Sequence, residues 1–179
     1  MKNQEITLTA ILMTILMICS QISLPIGPIP FTLQTLAVLM IGYFLSPKTA
    51  VLATTIYLVA GVFGLPIFSN FMGGFQAVLL PSFGFILGFI PATYFQAKYL
   101  EKHRNLWIAG IINFLITYLI GLTYMALILN MYLRSGLTIT GILMTGFIPF
   151  IPMDIAKIIV AVLLVKRLLP IVRRNGHAI

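Results

Sequence analysis

Three stretches of this chain carry no formal charge: from Ile6 to Pro47, from Thr49 to Ala97 and from Asn105 to Leu133 there is no Asp, Glu, Lys or Arg. A bilayer core about 30 Å thick is crossed by roughly 20 apolar residues in a helix, so several crossings fit into these runs. The rest of the composition agrees. Of 179 residues, 60% are hydrophobic and 8% charged, and the mean hydropathy of +1.10 lies far outside the range of a soluble domain. The reading is an all-α integral membrane protein.

Proline, glycine and charge punctuate the apolar runs and place spans at about 5–23, 32–46, 48–64, 80–98, 106–133 and 151–169, six crossings in one domain covering 1–179. The second is short for a full crossing at ~1.5 Å per residue, and must lean on its neighbours or on a locally thinned bilayer. Lys2 before an apolar run resembles a secretory signal, but Glu5 interrupts the basic region and no small-x-small cleavage site follows, so the segment is expected to stay as the first span. Cys19, the single cysteine, can form no internal disulfide and is expected to pack as an apolar residue.

Six spans put both termini on one side, and charge says which. Lys2, Lys48, Lys98, Lys102, Arg104, Lys166, Arg167, Arg173 and Arg174 fall with the termini, against Arg134 alone in the opposite loops. Cationic segments translocate poorly, so the termini are expected in the cytoplasm. The net charge of +8 then belongs to short clusters beside the membrane, facing anionic lipid or a partner rather than nucleic acid. The outer loops are of another kind. "LPIGPIPF" (24–31) has three prolines in eight residues and cannot be helical throughout. "GLPIFSNFMGGFQAVLLP" (64–81) is apolar yet broken by Pro66, Gly73 and Gly74. Irregular backbone at membrane depth survives only when buried in protein or lining a cavity, so 64–81 is expected to fold over the helices as the lid or wall of an outward-opening pocket.

Within "PFIPMDIAKII" (149–159) stand Asp154, one of only three acidic residues in the chain, and Lys157, three positions on. Pro149 and Pro152 suit the first turn of the last helix, which puts Asp154 near its positive end and Lys157 on the same face. A capping role explains the aspartate better than the lysine. A lysine inside a span costs ~2.5–3.5 kcal/mol on insertion scales, and a merely structural buried pair is often replaceable by apolar residues. The pair is therefore expected to line a ligand cavity, where a carboxylate beside an ammonium suits a small molecule with an amide or ureido group.

Three motifs, in order, carry a resemblance: "QISLPIGPIPFTLQTLAVLMIGYFL" (21–45), "IYLVAGVFGLPIFSNFMGG" (56–74) and "FIPMDIAKIIVAVLL" (150–164). Together they resemble the BioY family, the biotin-specific substrate-binding (S) components of energy-coupling-factor (ECF) vitamin transporters. The resemblance implies a six-helix membrane subunit of a prokaryotic cell membrane that takes biotin from outside into an occluded pocket. It implies no cofactor, and as partners a transmembrane coupling protein and two cytoplasmic ABC-type ATPases. It makes Asp154 and Lys157 ligand-site residues, brings in Asn70 from the outer loop, and adds Gln34 and Thr32 as weaker candidates for which bonding within the bundle is an equal alternative. Small residues four apart on the first span pack against the coupling protein in this class; here they are Ala10 and Thr14. Gly84 and Gly88 form a similar face on span four, with internal packing expected. Where the family usually reads Gly-Pro-Thr-Gly-Gly-Tyr, this chain has "LPSFGF" (80–85), which predicts a reshaped pocket floor or relaxed specificity.

There is no Gly-x-x-x-x-Gly-Lys phosphate loop, so ATP hydrolysis is not expected of this chain and energy must come from a partner or a gradient. An S component for another small vitamin, or an uncoupled or proton-linked carrier with Asp154 titrating, are the competing readings. A membrane-embedded enzyme lacks support, since the only histidines, His103 and His177, lie in basic segments away from the pair.

Overall fold

The computed structural model describes residues 3–24 and 29–174; Lys2, His177 and residues 25–28 of the proline-rich outer segment lie outside the described residues. Each expected span is a helix: α1 (Asn3–Gln21), α2 (Gln34–Phe44), α3 (Pro47–Val62), α4 (Phe83–Lys102), α5 (Leu106–Leu127) and, last in the chain, α7 (Ile151–Arg174). Between them lies α6 (Ile139–Gly146), an eight-residue helix in the connection between the fifth and the last expected spans. At ~1.5 Å per residue it spans about 12 Å and cannot cross a bilayer. Among the described residues, three helical stretches, Gln4–Gln21, Leu106–Tyr132 and Ile139–Pro170, are long and apolar enough to cross a membrane.

The helix ends follow local chemistry. Asn105 caps α5 by accepting from the amides of Trp107 at 3.0 Å and Ile108 at 3.3 Å. Thr138 caps α6 through the Gly141 amide at 3.2 Å. Pro47 occupies the first turn of α3, where its missing N–H costs nothing. Helix α4 begins at Phe83 rather than at residue 80, because Leu80 closes a 3-10 turn over Phe75–Leu79 and Pro81 follows it.

Helix α2 has 11 residues, about 16 Å, yet sits at the centre of the bundle against α1, α3, α4, α5 and α7. Ala37 through Leu45 are all buried, so this helix meets protein instead of lipid and its short length costs no mismatch. Helices α4 and α5 form the closest pair, joined by the turn at His103–Asn105. Gly84 and Gly88 permit that approach: a Cβ at Gly84 would stand 2.2 Å from Tyr124 Cβ, and one at Gly88 would stand 3.0 Å from the Thr117 carbonyl oxygen. The expected internal role of this glycine pair is what the packing shows.

The 64–81 segment folds onto the bundle as two short 3-10 turns, Ser69–Phe71 and Phe75–Leu79. Phe68 is its plug, 2% exposed and set edge-on to Tyr57 at 5.4 Å. Gly61 makes room for it, since a Cβ there would lie 2.1 Å from Phe68 Cζ. Polar groups at the end of α1 hold the segment down: Ser20 Oγ donates to the Ile67 carbonyl at 2.6 Å, and Gln21 spans Phe68 and Phe71 at 3.0 and 2.9 Å. An irregular apolar loop thus has part of its backbone satisfied by side chains of α1, and part by backbone groups such as the Gly61 carbonyl, which accepts from Gly74.

Candidate functional site

Asp154 lies in the first turn of α7, and its carboxylate is held by side chains from three helices. Lys157 Nζ donates to Oδ1 at 2.8 Å, Thr35 Oγ1 of α2 donates to the same oxygen at 3.2 Å, and Tyr118 of α5 donates its hydroxyl to Oδ2 at 2.5 Å. Lys157 also donates to Thr35 Oγ1 at 2.9 Å, closing a triangle. Asp154 and Lys157 are 4% and 7% exposed, so this is a desolvated ion pair. Removing one partner of such a pair leaves an uncompensated charge and typically costs ~3–5 kcal/mol.

The pair borders a cavity of about 50 Å³. Its wall takes Ile29, Pro30 and Thr32 from the outer segment, Gln34 and Thr35 from the start of α2, and Ser69 from the 64–81 loop. Ser82, Phe85, Ile86 and Phe89 of α4 and its N-terminal approach form one side, and Tyr118 and Phe150 complete the lining. A water needs ~10–15 Å³ by this measure, so the space holds a few waters. A second void of about 10 Å³, near the size of one water, lies between Asp154, Asn113, Thr117 and Tyr118. From it a polar chain runs deeper: Asn113 Nδ2 donates to Gln96 Oε1 at 2.7 Å, and Gln96 Nε2 donates to the Leu39 carbonyl at 3.1 Å.

The residues singled out from the sequence fall into three groups. Asp154 and Lys157 adjoin one another and the cavity, with Thr32 and Gln34 in its wall. Gln34 also donates to Tyr57 at 2.7 Å, so it serves the bundle and the cavity together. Asn70 stands apart: it is exposed, with φ of 58°, and its Oδ1 accepts from Ser23 Oγ at 2.7 Å. The loop instead offers Ser69 to the cavity. Ala10 and Thr14 face outward on α1, the Thr14 hydroxyl being returned to the Ala10 carbonyl at 2.9 Å.

Sequence reasoning missed Thr35, Tyr118, Ser82 and the aromatic lining. A signal for Tyr118 existed, because Asn113, Thr117 and Tyr118 form a polar stripe at i, i+4, i+5 on an otherwise apolar helix. Within "LPSFGF", Phe85 lines the cavity and meets Tyr118 edge-on at 5.4 Å, while Phe83 is buried in the core beside Phe68. Of the three positions where the segment departs from the family pattern, Phe85 lines the cavity and Leu80 and Phe83 do not.

A multi-pass helical membrane protein with a charged cavity near the start of its last helix is the class these features define. Comparison with known proteins gives the family. The family model described as "BioY family" matches residues 1–174. The probable biotin transporter BioY of Pyrococcus horikoshii is 34% identical over 168 residues, covering 94% of this chain and 98% of that protein. The biotin transporter BioY of Thermotoga maritima is 33% identical over 168 residues, covering 92% and 95%. A crystal structure of the S-component for biotin from an ECF-type ABC transporter matches with a TM-score of 0.80 and 26% identity over 94% of each chain. The chain belongs to the BioY family, multi-pass proteins of the prokaryotic cell membrane.

Proposed function

We propose that this chain is the biotin-binding S component of an ECF-type importer, taking the vitamin into the cavity beside Asp154 and Lys157. The observation that carries the reading is the spare hydrogen-bonding capacity of the buried pair. A carboxylate has about four acceptor sites and an ammonium three donors. Among the described residues, Asp154 uses three of its sites, on Lys157, Thr35 and Tyr118, and Lys157 uses two donors, on Asp154 and Thr35. One acceptor, on Oδ2, and one Lys157 donor remain on residues that both line the cavity, the complement of an N–H and C=O on one ureido or amide group. Phe85, Phe89 and Phe150 supply apolar surface for the rest of a small bicyclic ligand.

The cavity of about 50 Å³ is too small for such a ligand as it stands, so admission requires the outer wall to move. The 64–81 segment is the element placed to do this, since it contributes Ser69 to the wall and exposes Phe71 and Phe75 at 70% and 75%. Asn70 sits in the same segment and enters the ligand's reach when the segment repositions. Uptake then rests on a transmembrane coupling protein, docked on the α1 face that carries Ala10 and Thr14, and on two cytoplasmic ABC-type ATPases. The termini lie on the cytoplasmic side, where the basic residues gather.

The test is calorimetric titration of the purified chain with biotin and a small vitamin panel, with uptake measured in cells with and without the coupling and ATPase genes. Biotin binding with ATPase-dependent uptake supports the assignment. Binding of a different vitamin overturns the specificity. pH-sensitive uptake without the ATPases, abolished in Asp154→Asn, overturns the coupling scheme in favour of a proton-linked carrier.

A further inference from the structure

The end of the α4–α5 hairpin far from the ligand cavity carries a feature that substrate binding does not use. Between the last two turns of α4 and the first half of α5 runs an open groove of about 380 Å³. Its walls are Phe95 and Tyr99 on α4 and Ile112 and Ile116 on α5; its rim is Lys98, Lys102 and His103. The two lysines stand four residues apart, on one face of α4, and so reach the same mouth of the groove. Tyr99 and His103 stack at 4.8 Å between ring centroids, forming a flat flank beside them.

We propose that this groove is a binding site for one anionic phospholipid, with the phosphate headgroup on the Lys98–Lys102–His103 rim and an acyl chain along Phe95, Ile112 and Ile116. Three observations carry it. The rim is cationic with little to neutralise it: among the described residues Lys98 meets the exposed Glu101 at 3.9 Å and the uncharged face of Tyr94 at 6.0 Å, and no carboxylate pairs with Lys102. Exposed pairs of that kind are weak, so both ammonium groups remain available to a phosphate. The walls below the rim are apolar, and Ile116 lies ten residues into α5, about 15 Å from the start of that helix, the reach of the upper part of an acyl chain. The rim sits where a spanning hairpin turns, so a lipid is the anion present at that depth; a soluble phosphate finds charge there but no use for the apolar wall. Basic clusters at the cytoplasmic ends of membrane helices favour anionic headgroups for this reason.

The test is native mass spectrometry of the purified full chain titrated with phosphatidylglycerol and, separately, with phosphatidylcholine. At about fivefold per lysine, phosphatidylglycerol should bind about 25-fold more tightly than phosphatidylcholine. Lys98→Gln combined with Lys102→Gln should erase that preference, and Ile116→Trp, which fills the groove, should weaken both lipids. Lys166→Gln with Arg167→Gln, at the basic end of α7, should leave the preference intact, and millimolar glycerol 3-phosphate should not displace the lipid. A retained helical circular-dichroism signal shows that each variant is folded. Equal binding of the two lipids, an unchanged preference in the double lysine variant, an equal loss in the α7 variant, or displacement by glycerol 3-phosphate overturns the proposal.

Discussion

Tyr118→Phe deletes one oxygen from the site and nothing else. The ring keeps its neighbours, Phe85 at 5.4 Å, Phe114 at 4.5 Å and Phe147 at 5.1 Å between centroids, so no packing void is created. What goes is the donor to Asp154 Oδ2, leaving the carboxylate with Lys157 and Thr35, both on Oδ1. A hydrogen bond to a charged group contributes ~1.5–3 kcal/mol. A water in the adjoining void of about 10 Å³ can replace part of it, which favours the lower end, about 1.5 kcal/mol. The second consequence falls on the ligand: without Tyr118 the carboxylate plane is free to turn about its bond, and the spare acceptor on Oδ2 loses the group that fixes its direction. At 1.4 kcal/mol per decade, biotin affinity should fall about tenfold. The assay is calorimetric titration alongside thermal unfolding in detergent, wild type against variant. Unchanged affinity with unchanged stability would refute the claim that Tyr118 orients the carboxylate.

Other perturbations separate the site from its scaffold. Gln96→Leu removes two hydrogen bonds, from the Asn113 amide and to the Leu39 carbonyl; at an average of ~0.6 kcal/mol each within membrane helices, stability should fall by about 1 kcal/mol and ligand affinity should hold, read by thermal unfolding and titration. Gly84→Ala forces α4 away from Tyr124, whose hydroxyl donates to the Val78 carbonyl, and overpacking of this kind costs ~1–3 kcal/mol. Its signature beyond the lowered unfolding temperature should be faster proteolysis within 64–81.

The positions of the spans were legible because charge, proline and glycine are scarce in this chain and each interruption carries weight. Pro47 and Lys48, for example, mark the start of α3, and Asn105 marks the start of α5. The short α6 was not legible, since hydrophobicity runs on from Leu137 into α7 and only the Phe147–Pro149 turn divides it. Asp154 and Lys157 could be found because charge inside a span is costly and needs a reason. Thr35 and Tyr118 could not be ranked the same way: a threonine or tyrosine in a membrane helix has many inexpensive placements, and only the meeting of α2, α5 and α7 makes these two into partners of the carboxylate. The identity of the loop residue at the cavity depended on backbone detail of the same kind. Asn70 takes a left-handed conformation and turns toward Ser23, leaving its neighbour Ser69 to face inward.

The buried pair itself is tested most directly by titrating biotin into wild type, Asp154→Asn, Lys157→Met and the double variant Asp154→Asn with Lys157→Met, each first shown by circular dichroism to keep its helices. Each single change should lower affinity at least 100-fold, and the double variant, free of any stranded charge, should recover stability but not binding. Affinity within a few-fold of wild type in the folded double variant would contradict the account and move the ligand site elsewhere in the bundle.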